Sequence, residues 1–215
     1  MKKNDLKKLR KEMEKELTAK RYEHTLCVAY TAAALAMVHG VDTDSAMTAG
    51  MLHDCAKCLS VKKLISICKK NNLPISEVEM QNPAALLHAK AGSFLAQDKY
   101  GIEDPDILNA IRYHTTGRPD MSRLEKILYI ADYIEPGRKQ AANLGLIRRL
   151  AFQDLDGALF KILEDTLSYL QSMTGHMDAA AQKNDPLDPM TKETYEYYKK
   201  SSARALDSEN AAHSL

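Results

Sequence analysis

The apolar residues of this chain recur at helical spacing over most of its length. Leu6, Leu9, Met13 and Leu17, for example, lie three or four residues apart, as one face of an α-helix requires. A half-buried strand would instead alternate apolar and polar residues, and a hairpin would favour Asn-Gly or Asp-Gly between two such runs. Neither pattern occurs here. The chain is therefore predicted to be all-α.

Capping and helix-breaking residues divide this pattern into successive helices. Short polar side chains, first-turn prolines and terminal glycines favour helix ends, and Ser-x-x-Glu forms a capping box. The predicted helices run from Arg21 to His39 before Gly40, from Asp42 or Thr43 into the next turn, from Ser60 to Lys70, from Pro83 to Gly101, from Pro105 to about Gly117, from Ser122 with Glu125 to Tyr133, from Leu146 to Ser172, and from Pro189 to Tyr198.

These helices are expected to form one domain, because no internal repeat or long linker separates them. A chain of 215 residues with 45% hydrophobic and 27% charged residues can bury a core of ordinary globular composition. We divide it into an N-terminal helix (1–19), a helical core (20–177) and a C-terminal helix and tail (178–215). The fold class expected is a single helical bundle on which the C-terminal helices pack.

The charge pattern excludes several kinds of partner. The formal net charge of +1 predicts no nucleic-acid surface, and acidic residues interrupt the lysine-rich N-terminal stretch. No apolar segment follows those lysines as in a secretory signal, and the longest apolar run, from Leu26 to Val38, is shorter than a membrane span. Four cysteines are too few for a disulfide scaffold. We expect a reduced, cytoplasmic protein without membrane or nucleic-acid partners.

The stretch MLHDCAKCLS, residues 51–60, offers two competing pairs of reactive side chains. Cys55-x-x-Cys58 is a spacing found in zinc knuckles and redox motifs, but a knuckle needs a second ligand pair and a redox motif needs a strand before the helix. Neither is present, so the two cysteines are interpreted as packing residues on one helical face. The adjacent His53-Asp54 doublet is the stronger candidate.

Several histidines and aspartates share one setting on the predicted helices. Each lies beside apolar residues of an inward stripe, so a bundle can direct all of them at one cleft. An unpaired carboxylate buried among such residues would cost several kcal/mol, which a bound cation offsets. This pattern predicts a metal site built from His24, His53, Asp54, His88, His114 and Asp132.

The chemistry of these donor atoms limits which metal ions the site can prefer. Imidazole with carboxylate suits iron, manganese, cobalt or zinc, and is too rich in nitrogen for magnesium or calcium. The two oxygens of Asp54 can bridge two ions. A divalent metal makes hydroxide available near neutral pH and stabilises charge on phosphate, so hydrolysis of phosphate esters or anhydrides is expected.

The same residues carry a family resemblance. His24, His53-Asp54 and Asp132 resemble the H…HD…D signature of the HD-domain metal-dependent phosphohydrolase superfamily. The sequence around them, with HDCAK, His88, His114 and ADYIEPGR in order, is similar to the bacterial YqeK-type branch. Members of that branch hydrolyse diadenosine tetraphosphate symmetrically. The resemblance covers about residues 20–177, the segment defined above as the core.

The resemblance implies an all-helical fold and one or two iron ions. His88 and His114 would hold a second metal or contact substrate phosphates, because neutral imidazole is a ligand and imidazolium a donor. The sequence leaves both roles open. The ligands implied for the signature itself are His24, His53, Asp54 and Asp132.

Several further residues are candidates for substrate contacts. Lys57 lies one turn after His53 and can reach phosphate, although an exposed lysine is an equal alternative. Arg138 follows the Pro136-Gly137 break and can present a guanidinium fork. Thr115 and Tyr133 neighbour predicted ligands and can line a nucleotide, and the Arg21 side chain is a weaker candidate.

The predicted reaction is attack of a metal-activated hydroxide on a central phosphorus, with Asp54, His53 and Lys57 as catalytic residues and two ADP as products. Alternative substrates are a nucleoside monophosphate, a deoxynucleotide or a guanosine polyphosphate. A non-catalytic protein that binds nucleotides such as ADP or GDP is a further alternative. A homodimer formed through the N-terminal helix or through Tyr195, Tyr197 and Tyr198 stays open.

Overall fold

A computed structural model of the chain describes residues 3–174 and 188–212. These residues form eleven α-helices and no strand, which confirms the all-α prediction. The helices are α1 (Lys3–Glu16), α2 (Ala19–His39), α3 (Thr43–Leu52), α4 (Val61–Lys70), α5 (Glu77–Gln81), α6 (Pro83–Asp98), α7 (Pro105–Tyr113), α8 (Arg123–Ile134), α9 (Leu144–Ala151), α10 (Leu155–Thr174) and α11 (Pro189–Ala212).

Side-chain caps fix most of these boundaries where the sequence placed them. Asp42 accepts from the amide of Ser45 and so caps α3, while Ser60 caps α4 in the same way. Ser122 and Glu125 form the reciprocal capping box predicted for α8. Each of these bonds satisfies a helix N–H that has no partner within the helix.

The helix pattern differs from the prediction at several points. The single helix expected from Leu146 to Ser172 is two helices, because a side-chain oxygen of Asp154 accepts from the amide of Gly157 at 3.0 Å and starts α10 afresh. The short helix α5 was not predicted. The last helix continues to Ala212 and does not end at Tyr198.

The core forms where α2, α3, α7 and α8 meet. Val28, Leu52, Ile111 and Leu128 are among its fully buried side chains. Helices α2 and α3 approach very closely, since a Cβ added to Gly50 would lie 2.5 Å from the Ala29 Cα. Glycine at position 50 therefore allows the backbones to touch, and this contact brings the end of α3 against α2.

The terminal helices cover this core, as predicted. Leu9, Met13 and Leu17 of the N-terminal stripe are buried. At the other end the ring of Tyr195 stacks on Phe160 of α10 with centroids 5.9 Å apart. The buried Tyr198 hydroxyl accepts from the amide of Met121 at 2.9 Å, so the tyrosine cluster suggested as a dimer surface is partly used inside the chain.

The division into segments stays a prediction, because its boundary at residues 177–178 lies outside the described residues. Within residues 3–174 and 188–212, no helix is both long and apolar enough to span a bilayer.

Candidate metal centre

Five helices deliver the predicted ligands to one point in the core. His24 lies on α2, His88 on α6 and Asp132 in the last turn of α8. His53 and His114 are the C-terminal caps of α3 and α7, and Asp54 directly follows His53. The arrangement forms two groups of three whose donor atoms lie within 4.8 Å of one another: His24, His53 and Asp132, and Asp54, His88 and His114.

The Asp54 carboxylate lies between these two groups. Its Oδ2 is 3.4 Å from Nε2 of His53 and 3.8 Å from Nε2 of His24. Its Oδ1 faces the other way, 3.2 Å from Nε2 of His88 and 3.8 Å from Nε2 of His114. The two oxygens of one buried carboxylate thus each meet a separate pair of imidazoles.

Backbone contacts orient the imidazole rings. Nδ1 of His53 donates to the Gly50 carbonyl and Nδ1 of His114 to the Ile111 carbonyl, each at 2.7 Å. A proton on Nδ1 leaves a lone pair on Nε2, and this second contact is the usual way in which a protein fixes a metal-binding tautomer. Both rings therefore direct an electron pair at Asp54.

The fit to a cation is clearest at His24. Its Nδ1 lies 3.2 Å from Oε1 of Glu135, which can accept a hydrogen bond from it. Its Nε2 lies 3.1 Å from Oδ1 of Asp132, and neither this atom nor Nε2 of His53 has a hydrogen-bond partner. A bound divalent metal would give these unpartnered, buried ring nitrogens a partner and would offset the carboxylate charge beside them, so the donor set suits such an ion.

The electrostatics keep the carboxylates charged. Burial opposes ionisation of Asp54, but the neighbouring His53, with His88 and His114, holds its pKa well below its usual range. Burial likewise opposes ionisation of Asp132, but the neighbouring His24 together with His53, His114 and Arg138 outweighs it and lowers the pKa. Both groups are therefore anions at neutral pH.

The histidines of the second group are neutral. Burial lowers the pKa of His88, and burial with the nearby His88 and His53 lowers the pKa of His114 to about 3. At His53 burial also acts to lower the pKa, but the charge and hydrogen bond of Asp54, with Asp132 and the Gly50 carbonyl, together outweigh it, so the net pKa is raised. His88 and His114 consequently offer lone pairs at neutral pH.

Three cationic side chains border the cluster. Nζ of Lys57 lies 3.2 and 3.3 Å from the two ring nitrogens of His88. Nη2 of Arg138 lies 3.0 Å from Oδ1 of Asp132, and Nη1 of Arg21 lies 2.7 Å from Oδ2 of Asp54. Arg21, rated weakest from the sequence, therefore makes the shortest contact of the three.

Thr115 and Tyr133 lie in the wall of a cavity next to the ligands. This cavity has a volume of about 680 Å³, and Asp132, His114 and Arg138 also line it. The hydroxyl of Tyr133 donates to the Ala142 carbonyl at 3.3 Å. The two predicted nucleotide contacts thus share one opening onto the candidate centre.

The cysteines of the opening motif do not join this cluster. Cys55 is buried with its thiol 3.5 Å from the Gly92 carbonyl, and burial raises its pKa to about 12. Cys58 is exposed, so the prediction that both cysteines pack on one face is wrong for Cys58. Residues 53–58 form turns and not a continuous helix, so helical spacing does not place the two cysteines on one face. Among the described residues, no group spaced to hold a metal contains a cysteine.

Residues 21–137, which contain all six candidate ligands, match the model of the HD domain family. The chain belongs to this HD family. The match confirms the resemblance inferred from the sequence and covers more than half of the 215 residues.

Relatives of this HD chain extend the likeness beyond the matched segment. It is 39% identical to a "Bis(5'-nucleosyl)-tetraphosphatase, symmetrical" of Halalkalibacterium halodurans, covering 83% of this chain and 89% of the relative. It is 38% identical to the Bacillus subtilis protein of the same name, covering 86% and 92%. A crystal structure of a predicted HD superfamily hydrolase from Clostridium acetobutylicum, described as involved in NAD metabolism, superposes with a TM-score of 0.81 at 39% identity, covering 91% of this chain and 97% of that one.

Proposed function

We propose that this HD protein is a metal-dependent hydrolase that cleaves diadenosine tetraphosphate symmetrically into two ADP. The observation that carries the proposal is Asp54, whose two carboxylate oxygens each face a separate pair of imidazoles. A centre able to hold two ions fits hydrolysis of a phosphoric anhydride. The names of the relatives that the chain matches over most of its length support this substrate.

The proposed cofactor is iron, as one or two ions, with manganese, cobalt or zinc as alternatives that the same donors accept. His24, His53 and Asp132 would hold one ion, His88 and His114 the other, and Asp54 would contact both. A bound divalent metal would supply positive charge at the phosphates and lower the pKa of water.

The chain's own side chains bind and orient the substrate in this proposal. Lys57 lies next to His88 and Arg138 next to Asp132, and both can donate to phosphate oxygens. The cavity that contains Thr115 and Tyr133 would hold a nucleoside. Water adds to a central phosphorus, the bridging P–O bond breaks, and each half leaves as ADP.

A product assay tests the proposal. Protein purified without oxygen and supplied with iron or manganese is incubated with diadenosine tetraphosphate, and the nucleotides are resolved by anion-exchange chromatography. ADP is expected as the only product. Formation of AMP with ATP, or turnover confined to a parallel panel of nucleoside monophosphates, deoxynucleotides and guanosine polyphosphates, would replace this substrate assignment.

Replacing Lys57 by methionine is expected to lower kcat/KM by about 100-fold while metal content stays unchanged. The change removes the ammonium group and keeps most of the apolar stem beside His88. Lys62 on α4 is exposed, so Lys62→Met is the matched control and should leave kcat/KM as it is. Steady-state kinetics with elemental analysis measure both quantities. Unaltered kcat/KM in Lys57→Met would mean that Lys57 makes no phosphate contact.

Four partner and location statements remain predictions from the sequence. They are a cytoplasmic location, the absence of nucleic-acid partners, the absence of membrane partners, and a homodimer.

A further inference from the structure

Glu135 is a buried carboxylate that the mechanism above does not use. It caps the C-terminal end of α8 and is 3% exposed. Both features are unfavourable, because burial strips water from the charge and a helix C-terminus carries partial negative charge. A carboxylate is stable at such a position only where its hydrogen-bond partners compensate for these two costs. Those partners therefore indicate its role.

The first partner of Glu135 is the candidate ligand His24. Oε1 of Glu135 lies 3.2 Å from Nδ1 of His24 and accepts a hydrogen bond from it. His53 and His114 donate instead to neutral backbone carbonyls. An anionic acceptor makes an imidazole a stronger donor to metal than a neutral one does, and it also fixes the ring. His24 therefore differs from these two histidines in having an anionic hydrogen-bond acceptor.

The second partner is the turn that presents Arg138. Oε2 of Glu135 accepts from the amide of Gly137, and the Glu135 carbonyl accepts from the amide of Arg138 at 3.0 Å. A Cβ on Gly137 would lie 2.9 Å from Oε2 and 3.1 Å from Oε1, so glycine leaves room for the carboxylate. The turn then places the Arg138 guanidinium 3.0 Å from Asp132.

We infer that Glu135 is a positioning residue that joins the metal ligand His24 to the turn carrying the phosphate-binding Arg138. One carboxylate orients the imidazole with Oε1 and closes the turn with Oε2. The two groups thus keep a fixed spacing across the centre. The inference rests on the proposed function in that it takes His24 as a metal ligand and Arg138 as a phosphate contact.

Glu135→Gln tests the inference, because glutamine keeps the shape and removes the charge. Its affinity for cobalt(II) alone, measured by titration, is expected to fall by about 10- to 100-fold, and the visible absorption of the bound cobalt should shift. At saturating metal, kcat/KM for diadenosine tetraphosphate should fall by about tenfold. The cobalt measurements need no substrate, so they remain informative even if the product assay fails.

Glu125→Gln is the matched control. Glu125 is 1% exposed on the same helix, and its oxygens accept from Nε and Nη2 of Arg118 at 2.7 Å each. This variant should lose thermal stability but keep cobalt affinity and spectrum. Cobalt affinity and spectrum unchanged in Glu135→Gln would overturn the inference. If Glu135→Gln does not fold, Gly137→Ala is the second variant, because its added Cβ would displace the Glu135 carboxylate. Unchanged cobalt binding in Gly137→Ala would equally overturn the inference.

Discussion

Asp54→Ala is expected to remove both metal ions and to lower turnover by at least about 1,000-fold. Asp54 is the one carboxylate in the cluster with contacts to both histidine groups, through Oδ2 to His24 and His53 and through Oδ1 to His88 and His114. Its loss therefore weakens both halves of the site together. Elemental analysis of protein purified without oxygen measures metal content, and the product assay measures turnover.

A stability control accompanies this measurement. Asp54→Ala leaves the Arg21 guanidinium without its partner, but that side chain is 33% exposed and stays hydrated, so the variant should remain folded. Asp98 is exposed at the end of α6, and Asp98→Ala should keep full metal content and activity. Normal metal content in Asp54→Ala would show that Asp54 is not a ligand.

Much of the fold could be predicted because local signals set it. The Ser122-x-x-Glu125 spacing predicts the start of α8, because each side chain can accept a hydrogen bond from the other residue's amide. The structure contains both hydrogen bonds. The break between α9 and α10 was harder to predict, since apolar residues keep their helical spacing across it. The signal at the break is the Asp154 cap, and an aspartate side chain can also point to solvent from within a helix.

The site could be predicted only as a set of residues. An aspartate among apolar neighbours indicates a cation at the level of the sequence, and Asp54 and Asp132 both lie in the cluster. The sorting of the ligands into two groups depends on how α2, α6, α7 and α8 pack, which no spacing encodes. The contacts of Arg21 and Glu135 span 33 and 111 residues of sequence, so their roles required the tertiary structure.

Replacing one histidine ligand in either group is expected to remove the ion of that group and to leave the other ion bound. In the proposed two-ion site, His24→Ala should leave the ion that His88 and His114 would hold, and His114→Ala the ion that His53 and Asp132 would hold. Each change removes one imidazole ring that is oriented independently of the other. Nδ1 of His24 contacts Glu135, and Nδ1 of His114 donates to the Ile111 carbonyl. Metal content should therefore fall from two ions per chain to one in each variant and to none in the double variant, with turnover lower by at least about 100-fold in each single variant.

His39→Ala is the control for these histidine changes. His39 is not among the candidate ligands, and its Nε2 contacts the Ala151 carbonyl at 2.7 Å. It should keep both ions. The alternative role for His114, a contact with phosphate, makes the opposite prediction: full metal content in His114→Ala with a raised KM. Loss of all metal in either single variant would instead mean that the two groups bind as one site. Elemental analysis and KM together thus decide whether the Oδ1 side of Asp54 holds metal or substrate. A metal would take the lone pairs of the neutral His88 and His114 rings, whereas a phosphate contact would need a ring N–H donor there.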